Sequence, residues 1–220
     1  MKKSFLVLMI LASAVILTGA LLVVTSQSKQ EFQSEKKNKS KKTEMKSCCS
    51  SEMGSEEANE NSVYLLDENW KTESNKTINW ADLKGTPRVM AMIFTNCTYA
   101  CPVIVNDMKK VEAGLSKKDL NKVKFLLVSI DPERDTPETM TKFAKNMHLD
   151  LNRWQLLTSN ENNVSELAAV LGFKYKQEKD KSYSHSNIIT VLNSEGEIAH
   201  QHFGLNQNID DVIEAVQKTK

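Results

Sequence analysis

The sequence predicts an α/β domain built on a central mixed sheet, carried behind an apolar N-terminal segment and a polar tether. Three observations carry this reading. From Val63 onward, apolar runs of strand length alternate with stretches of helical period. A Cys-x-x-x-Cys pair, Cys97 and Cys101, stands where one apolar run gives way to a helix. Before Val63, the only apolar feature is a charge-free run over residues 4–24. At 220 residues the chain is long enough for one well-buried domain with additional segments.

The charge-free run follows a basic start, Lys2 and Lys3, and about twenty such residues can cross a bilayer core of ~30 Å. It continues past the small residues Thr18, Gly19 and Ala20, so a retained anchor is favoured over a cleaved signal sequence. The lysines then stay in the cytoplasm and the rest of the chain is exported. Residues 25–61 are rich in Ser, Lys, Asn and Glu and form a flexible linker, because they bury too little surface to offset chain entropy. The lysine run at 36–42 reads as solvated. The expected division is therefore 1–24 transmembrane anchor or signal sequence, 25–61 linker and 62–220 folded domain.

Within the domain, Val63–Leu66 reads as a short strand, and Ile78–Leu83 leads into a turn at Lys84-Gly85-Thr86-Pro87. Arg88–Thr95 and Val123–Ile130 are strands buried on both faces, Trp154–Leu157 is a short strand, and Asn187–Leu192 is another. Helices are expected over Pro102 to Ser116, Thr136–Met147, Glu161–Leu171 and Gln207–Gln217. Asn193-Ser194-Glu195-Gly196 forms a hairpin turn into Glu197–Phe203. A β-α-β-α order followed by a hairpin and a final helix suits a sheet covered on both faces. It is the order of a thioredoxin-like fold with additions.

Lys and Arg total 29 against 28 Asp and Glu, a formal net charge of +1, so no basic surface argues for nucleic acid. The four cysteines form two close pairs, Cys48/Cys49 and Cys97/Cys101, which points to metal or redox chemistry and away from a disulfide framework. Pro102 suits the first helical position, which makes Cys101 the expected cap. Both sulfurs then lie near the positive end of a helix, a field that favours thiolates. Three residues between the cysteines leave the sulfurs freer to flank one soft ion than the two of a Cys-x-x-Cys pair, and thiolates favour Cu(I) and Zn.

His185, just before the strand Asn187–Leu192, can reach that loop in this topology. Two thiolates and an imidazole make a mixed site able to hold Cu(I) or Cu(II). His200 and His202 alternate along one strand and share a face; they could bind a metal weakly, but read first as an exposed strand face. His148 reads as a favourable charge at a helix C-terminus. Asp131 and Asp135 read first as turn and helix-start residues, with an outer-shell or docking role as the other reading.

The segments Cys97-Thr98-Tyr99-Ala100-Cys101-Pro102, Ser129-Ile130-Asp131-Pro132-Glu133-Arg134-Asp135-Thr136-Pro137-Glu138 and Tyr183-Ser184-His185-Ser186 resemble, in order and spacing, the SCO/SenC family of copper chaperones over residues 63–220. The resemblance implies a thioredoxin fold behind a membrane anchor, with the domain on the periplasmic or extracytoplasmic side. It implies copper bound by Cys97, Cys101 and His185 for delivery to the Cu-A centre of cytochrome c oxidase. The partners it implies are the oxidase subunit carrying Cu-A or a related copper protein, and a copper donor. No proline precedes the strand Asn187–Leu192, whereas thioredoxin-type enzymes carry a cis-proline there, facing the cysteines. That difference favours coordination over dithiol exchange, so the chain is expected to be a chaperone and not an enzyme. The alternative is an extracytoplasmic thiol-disulfide oxidoreductase in which Cys97 attacks and Cys101 resolves. Cys48 and Cys49, near Met45 and Met53, offer soft donors for Cu(I) but read more simply as an incidental or disulfide-bonded pair in a polar tail.

Overall fold

The computed structural model describes residues 62–219. The expected anchor at 1–24, and the linker with Cys48 and Cys49, lie outside the described residues. Among the described residues, no helix is long and apolar enough to cross a membrane.

The domain opens with a 3-10 turn over Val63–Leu65, not the expected strand. The Ser62 side chain accepts the Tyr64 N–H at 3.1 Å and winds the chain before it can pair beyond an isolated bridge to Glu197. The strands β1 (Asn69–Thr72) and β2 (Thr77–Asn79) follow as an antiparallel hairpin, and a second 3-10 turn spans Trp80–Leu83. β3 (Arg88–Ile93) leads into α1 (Ala100–Gly114), the short α2 (Lys117–Leu120) and β4 (Lys124–Ser129). Then come α3 (Pro137–Asn146), β5 (Trp154–Thr158) and α4 (Glu161–Val170). A small hairpin of β6 (Tyr175–Gln177) and β7 (Tyr183–His185) precedes β8 (Ile188–Leu192), β9 (Ile198–Phe203) and α5 (Asp210–Lys218).

One seven-stranded sheet has the order β2-β1-β5-β4-β3-β8-β9. β3, β4 and β5 run parallel, as their helical crossovers require, and β1, β2, β8 and β9 pair antiparallel. The mixed sheet expected from the sequence is the one found. Every residue of β3 and β8 is buried, and β4 nearly so, which is the burial of strands covered on both faces. α5 packs on β8, β9 and α1, while α3 packs on β5. Trp70, Trp80, Trp154 and Phe125 are fully buried, and the Trp154 ring stacks on Phe125 at 4.7 Å.

The helix ends follow from local chemistry. Thr136 caps α3 through the Thr139 N–H, with Pro137 at the first helical position. Both α3 and α4 close in the same way. His148 N–H donates to Lys145 O and Leu149 N–H to Ala144 O; Gly172 N–H donates to Ala169 O and Phe173 N–H to Ala168 O. The residue just past each C-cap is left-handed, Gly172 at φ +63 and His148 at φ +56. His148 Nδ1 also reaches the Asn146 carbonyl at 2.9 Å, so the side chain serves the helix end through a hydrogen bond, where the sequence suggested a charge. In the turn between β8 and β9, Gly196 has φ +81, and a Cβ there would lie 2.5 Å from the Tyr64 ring.

No atom lies within 4 Å of a Cβ built on Gly172, so substitution there is resisted by the backbone alone. Gly172→Ala should lower stability by about 1 kcal/mol, the order of the left-handed penalty for a side chain. His148→Gly should raise stability by a smaller amount. Urea unfolding midpoints of the two variants are expected to move in opposite directions; a shift of the same sign would count against the shared helix-end geometry.

Candidate metal centre

Two segments far apart in sequence meet at the C-terminal end of β3. That strand pairs antiparallel with β8, Ala91 opposite Ile189, so the start of β8 lies beside the loop that leaves β3. Cys97 and Cys101 come from that loop and the first turn of α1, and His185 from the end of β7. Their donor atoms all lie within 4.8 Å of one another, with Cys101 Sγ and His185 Nε2 3.9 Å apart.

The helix begins two residues earlier than the sequence indicated. Ala100 is its first residue, so Cys101 is inside the first turn and is not the cap, and Pro102 follows at the third position. Proline is still tolerated there because the first turn's N–H groups have no helical acceptor. Tyr99, at the cap position, makes no side-chain capping bond. The Cys97 sulfur takes that part instead and accepts the Cys101 N–H at 3.3 Å. Cys101 Sγ in turn accepts the Phe94 N–H at 3.4 Å.

Cys97 is half-buried, whereas Cys101 is fully buried. Burial pushes the Cys101 thiol far above the ordinary cysteine range, and the Phe94 N–H opposes this without overcoming it. Here the expected gain from the helix end is outweighed by desolvation. Both cysteines are free.

His185 is held on every side. Its Nδ1 lies 2.7 Å from the Ser186 carbonyl and so carries the proton, which leaves the Nε2 lone pair facing Cys101. The ring sits edge-on to Phe94 at 5.8 Å and stacks on Phe173 at 5.9 Å. Phe173 is placed by the left-handed turn that ends α4, and the β6–β7 hairpin sets the height of His185 opposite Tyr175. This short hairpin is absent from the sequence reading, as are β1 and α2. Its strands are three residues each and mostly polar, so they carry no periodic signal.

Asp131 and Asp135 are both fully buried and do more than start a turn or a helix. Asp135 accepts the Thr95 N–H at 3.1 Å, the Thr95 hydroxyl at 2.5 Å and the Ser129 hydroxyl at 2.6 Å. It thereby fixes the residue two before Cys97 to the end of β4. Burial raises the Asp135 carboxyl above its usual range; the Ser129 and Thr95 bonds oppose this, and the nearby Asp131 adds to the rise. Asp131 pairs with Arg134, whose Nη2 donates to Lys181 O at 2.6 Å and whose guanidinium lies 6.0 Å from the centre of the Tyr183 ring. Tyr183 packs against Phe94 at 5.2 Å. The two aspartates therefore brace the cysteine loop and the histidine hairpin through Thr95 and Arg134, beyond the turn and helix-start roles read from the sequence.

The donor set fits a soft or borderline ion. With bonds of ~2.0–2.3 Å, two donors around a three- or four-coordinate ion stand roughly 3.3–4 Å apart, and the Cys101–His185 spacing of 3.9 Å falls there. Two sulfurs and one neutral imidazole suit copper in either oxidation state or zinc. His200 and His202 are not at this centre. They bond Asp211 at 2.8 and 2.9 Å, and the His202 side chain is only 10% exposed, so the expectation of an exposed strand face is corrected.

Fold and site together define a mixed α/β domain of thioredoxin-like type with a dithiol-imidazole centre at one end of its sheet. The chain belongs to the SCO1/SenC family, whose sequence profile matches residues 59–220. The SCO1 protein homolog of Bacillus subtilis strain 168 is 28% identical over 152 residues, covering 67% of this chain and 78% of that protein. Among solved structures, BsSco, described as a member of the Sco family of cytochrome c oxidase assembly proteins with a disulfide switch, is similar at TM-score 0.61. It is 25% identical, covering 68% of this chain and 89% of that one. The copper-bound ScoI of Arabidopsis thaliana shares the fold at TM-score 0.59 with 19% identity, covering 68% of this chain and 96% of that one.

Asp135→Ala would leave the Thr95 N–H and two hydroxyls without their buried acceptor. The expected result is a loss of about 2–3 kcal/mol in urea unfolding and faster alkylation of Cys97 in the reduced protein. An unchanged alkylation rate would show that the loop does not depend on this carboxylate.

Proposed function

We propose that the chain is a copper chaperone that holds one copper ion between Cys97, Cys101 and His185. The observation that carries this reading is the convergence of the three donor atoms within 4.8 Å, with His185 Nε2 turned to Cys101 by the bond at Nδ1. Copper is the cargo. The thiolates hold Cu(I), and the imidazole extends the set to Cu(II). The half-buried Cys97 leaves one side of the centre open to a partner's thiolates, so the ion passes by ligand exchange with no covalent turnover. Copper bound in the Arabidopsis relative supports the choice of metal, and the assembly role named for BsSco supports a Cu-A subunit of cytochrome c oxidase as recipient. The charge-free segment at 4–24 would tether the domain on the extracytoplasmic side.

A second reading is thiol-disulfide exchange with a partner's cysteines. The observation that favours it is the proximity of two free sulfurs with unequal exposure: half-buried Cys97 would attack and buried Cys101 would resolve.

The test uses the full chain carrying Cys48→Ser and Cys49→Ser, reduced, loaded with Cu(I) or Cu(II) and examined by native mass spectrometry. One copper per chain is expected, lost on Cys97→Ala or Cys101→Ala. His185→Ala should weaken Cu(II) more than Cu(I), because imidazole is the harder donor. No copper retained by the parent protein, together with reduction of a partner disulfide that survives His185→Ala, would replace the chaperone reading by the oxidoreductase one.

A further inference from the structure

A second cluster of metal-ligating side chains lies away from the cysteine centre and shares no residue with it. His200 and His202 stand two apart on β9 and point to the same side of the strand. Both meet Asp211 in the first turn of α5: His200 Nε2 lies 2.8 Å and His202 Nδ1 2.9 Å from the same oxygen, Oδ2. The three donor atoms all lie within 4.8 Å of one another. This grouping is set by the packing of α5 on the edge strand, and no packing of the sheet requires two imidazoles to share one carboxylate oxygen.

We propose that His200, His202 and Asp211 form a second metal site, selective for a borderline divalent transition-metal ion and independent of the cysteine centre. The chemistry of the donors chooses the class. Two imidazoles and a carboxylate with no sulfur suit Cu2+, Zn2+ or Ni2+ and give Cu(I) no soft anchor. Cu2+ should bind most tightly of the three. With bonds of ~2.0–2.2 Å, neighbouring donors stand roughly 3.0–3.4 Å apart. The two short contacts therefore need to open by only a few tenths of an ångström.

The rings are ready for an ion in one other respect. In the metal-free arrangement, each ring donates an N–H to Asp211. A neutral imidazole takes a metal at that nitrogen by carrying its proton on the other one, so no ring needs to lose a proton overall.

The site is also open on one side. A cleft of about 550 Å³ borders His200 and Asp211 and is lined further by Asn193, Glu214 and Lys218. Glu214 is engaged by Lys218 at 2.6 Å, so the remaining coordination positions of an ion would be left to solvent. Three protein ligands with an open face make a site that an ion can enter from solvent. An ion there joins the edge strand β9 to the C-terminal helix, so binding stabilises that corner of the fold.

The experiment compares the full reduced chain with His200→Ala and Asp211→Asn, measuring Zn2+ stoichiometry by equilibrium dialysis and melting temperature with and without Zn2+. Asp211→Asn keeps an oxygen acceptor for the rings while removing the charge, so it tests the site without depending on the fate of the helix contact. Each variant should bind one Zn2+ fewer than the parent, or bind it weaker by at least the ~10–100-fold that loss of an outer-shell partner costs. Each should also lose the Zn2+-induced rise in melting temperature. In a Cys97→Ser/Cys101→Ala chain, Cu2+ should still give an electron paramagnetic resonance signal with nitrogen hyperfine splitting that His202→Ala abolishes. That chain separates this site from the copper centre, since failure of either leaves the other readout intact. Equal Zn2+ stoichiometry and equal melting shifts in parent and variants would overturn the proposal and leave the cluster as a charge pair alone.

Discussion

The antiparallel pairing of β3 with β8 is the contact on which the centre depends. β3 is the middle strand of the buried core, bonded in parallel to β4 on one side and antiparallel to β8 on the other. Because β8 runs against it, the residues that enter β8 arrive where the residues leaving β3 depart. A parallel neighbour would have carried Ser184, His185 and Ser186 to the opposite edge of the sheet. The rest is adjustment of that meeting. The β6–β7 hairpin brings His185 in at the right height, Phe173 and Phe94 fix its ring, and Asp135 holds Thr95 against β4.

The central strands were legible because they are long, apolar and free of turn residues, and β3, β4, β5 and β8 fall within a residue or two of where the pattern placed them. The donors Cys97, Cys101 and His185 were legible too, the first two from their place between strand and helix. What the pattern missed is what packing decides. β1 buries only Trp70 and Thr72 on one side, too little for a period to register. The turn at Val63–Leu65 follows from one hydroxyl of Ser62, which outweighs the apolar strand-like string. Asp135 read as local punctuation because its partner Thr95 is distant in sequence, and Asp131 because its own partner, Arg134, is local and only that arginine reaches the hairpin at Lys181. His200 and His202 could be placed on a common face from the spacing, but Asp211 comes from another element and only the docking of α5 reveals it.

The start of α1 shows two electrostatic effects in opposition. A helix N-terminus favours a thiolate, and a dry interior favours a thiol. Cys101 sits inside the first turn with no exposed surface, and the interior prevails. Cys97 is the loop sulfur that receives the first-turn N–H in place of an ordinary capping oxygen. The side chain that closes the helix end is therefore also one of the candidate donors. A change in the chemistry of that sulfur, whether by oxidation, alkylation or metal binding, is felt by the hydrogen bond that starts the helix.

The unequal exposure of the two sulfurs has a directional consequence. An incoming nucleophile finds Cys101 sealed beneath Phe94 and the first turn of α1, and the His185 ring wedged between two aromatic side chains. Of the two sulfurs of the centre, Cys97 is the one with a face to solvent. For any ion seated among the three, the outermost bond is the first to be exchanged and the buried sulfur the last to let go. An ion held as proposed would swing outward on Cys101 as on a hinge with its pin inside the protein, its departure ordered by depth in the structure.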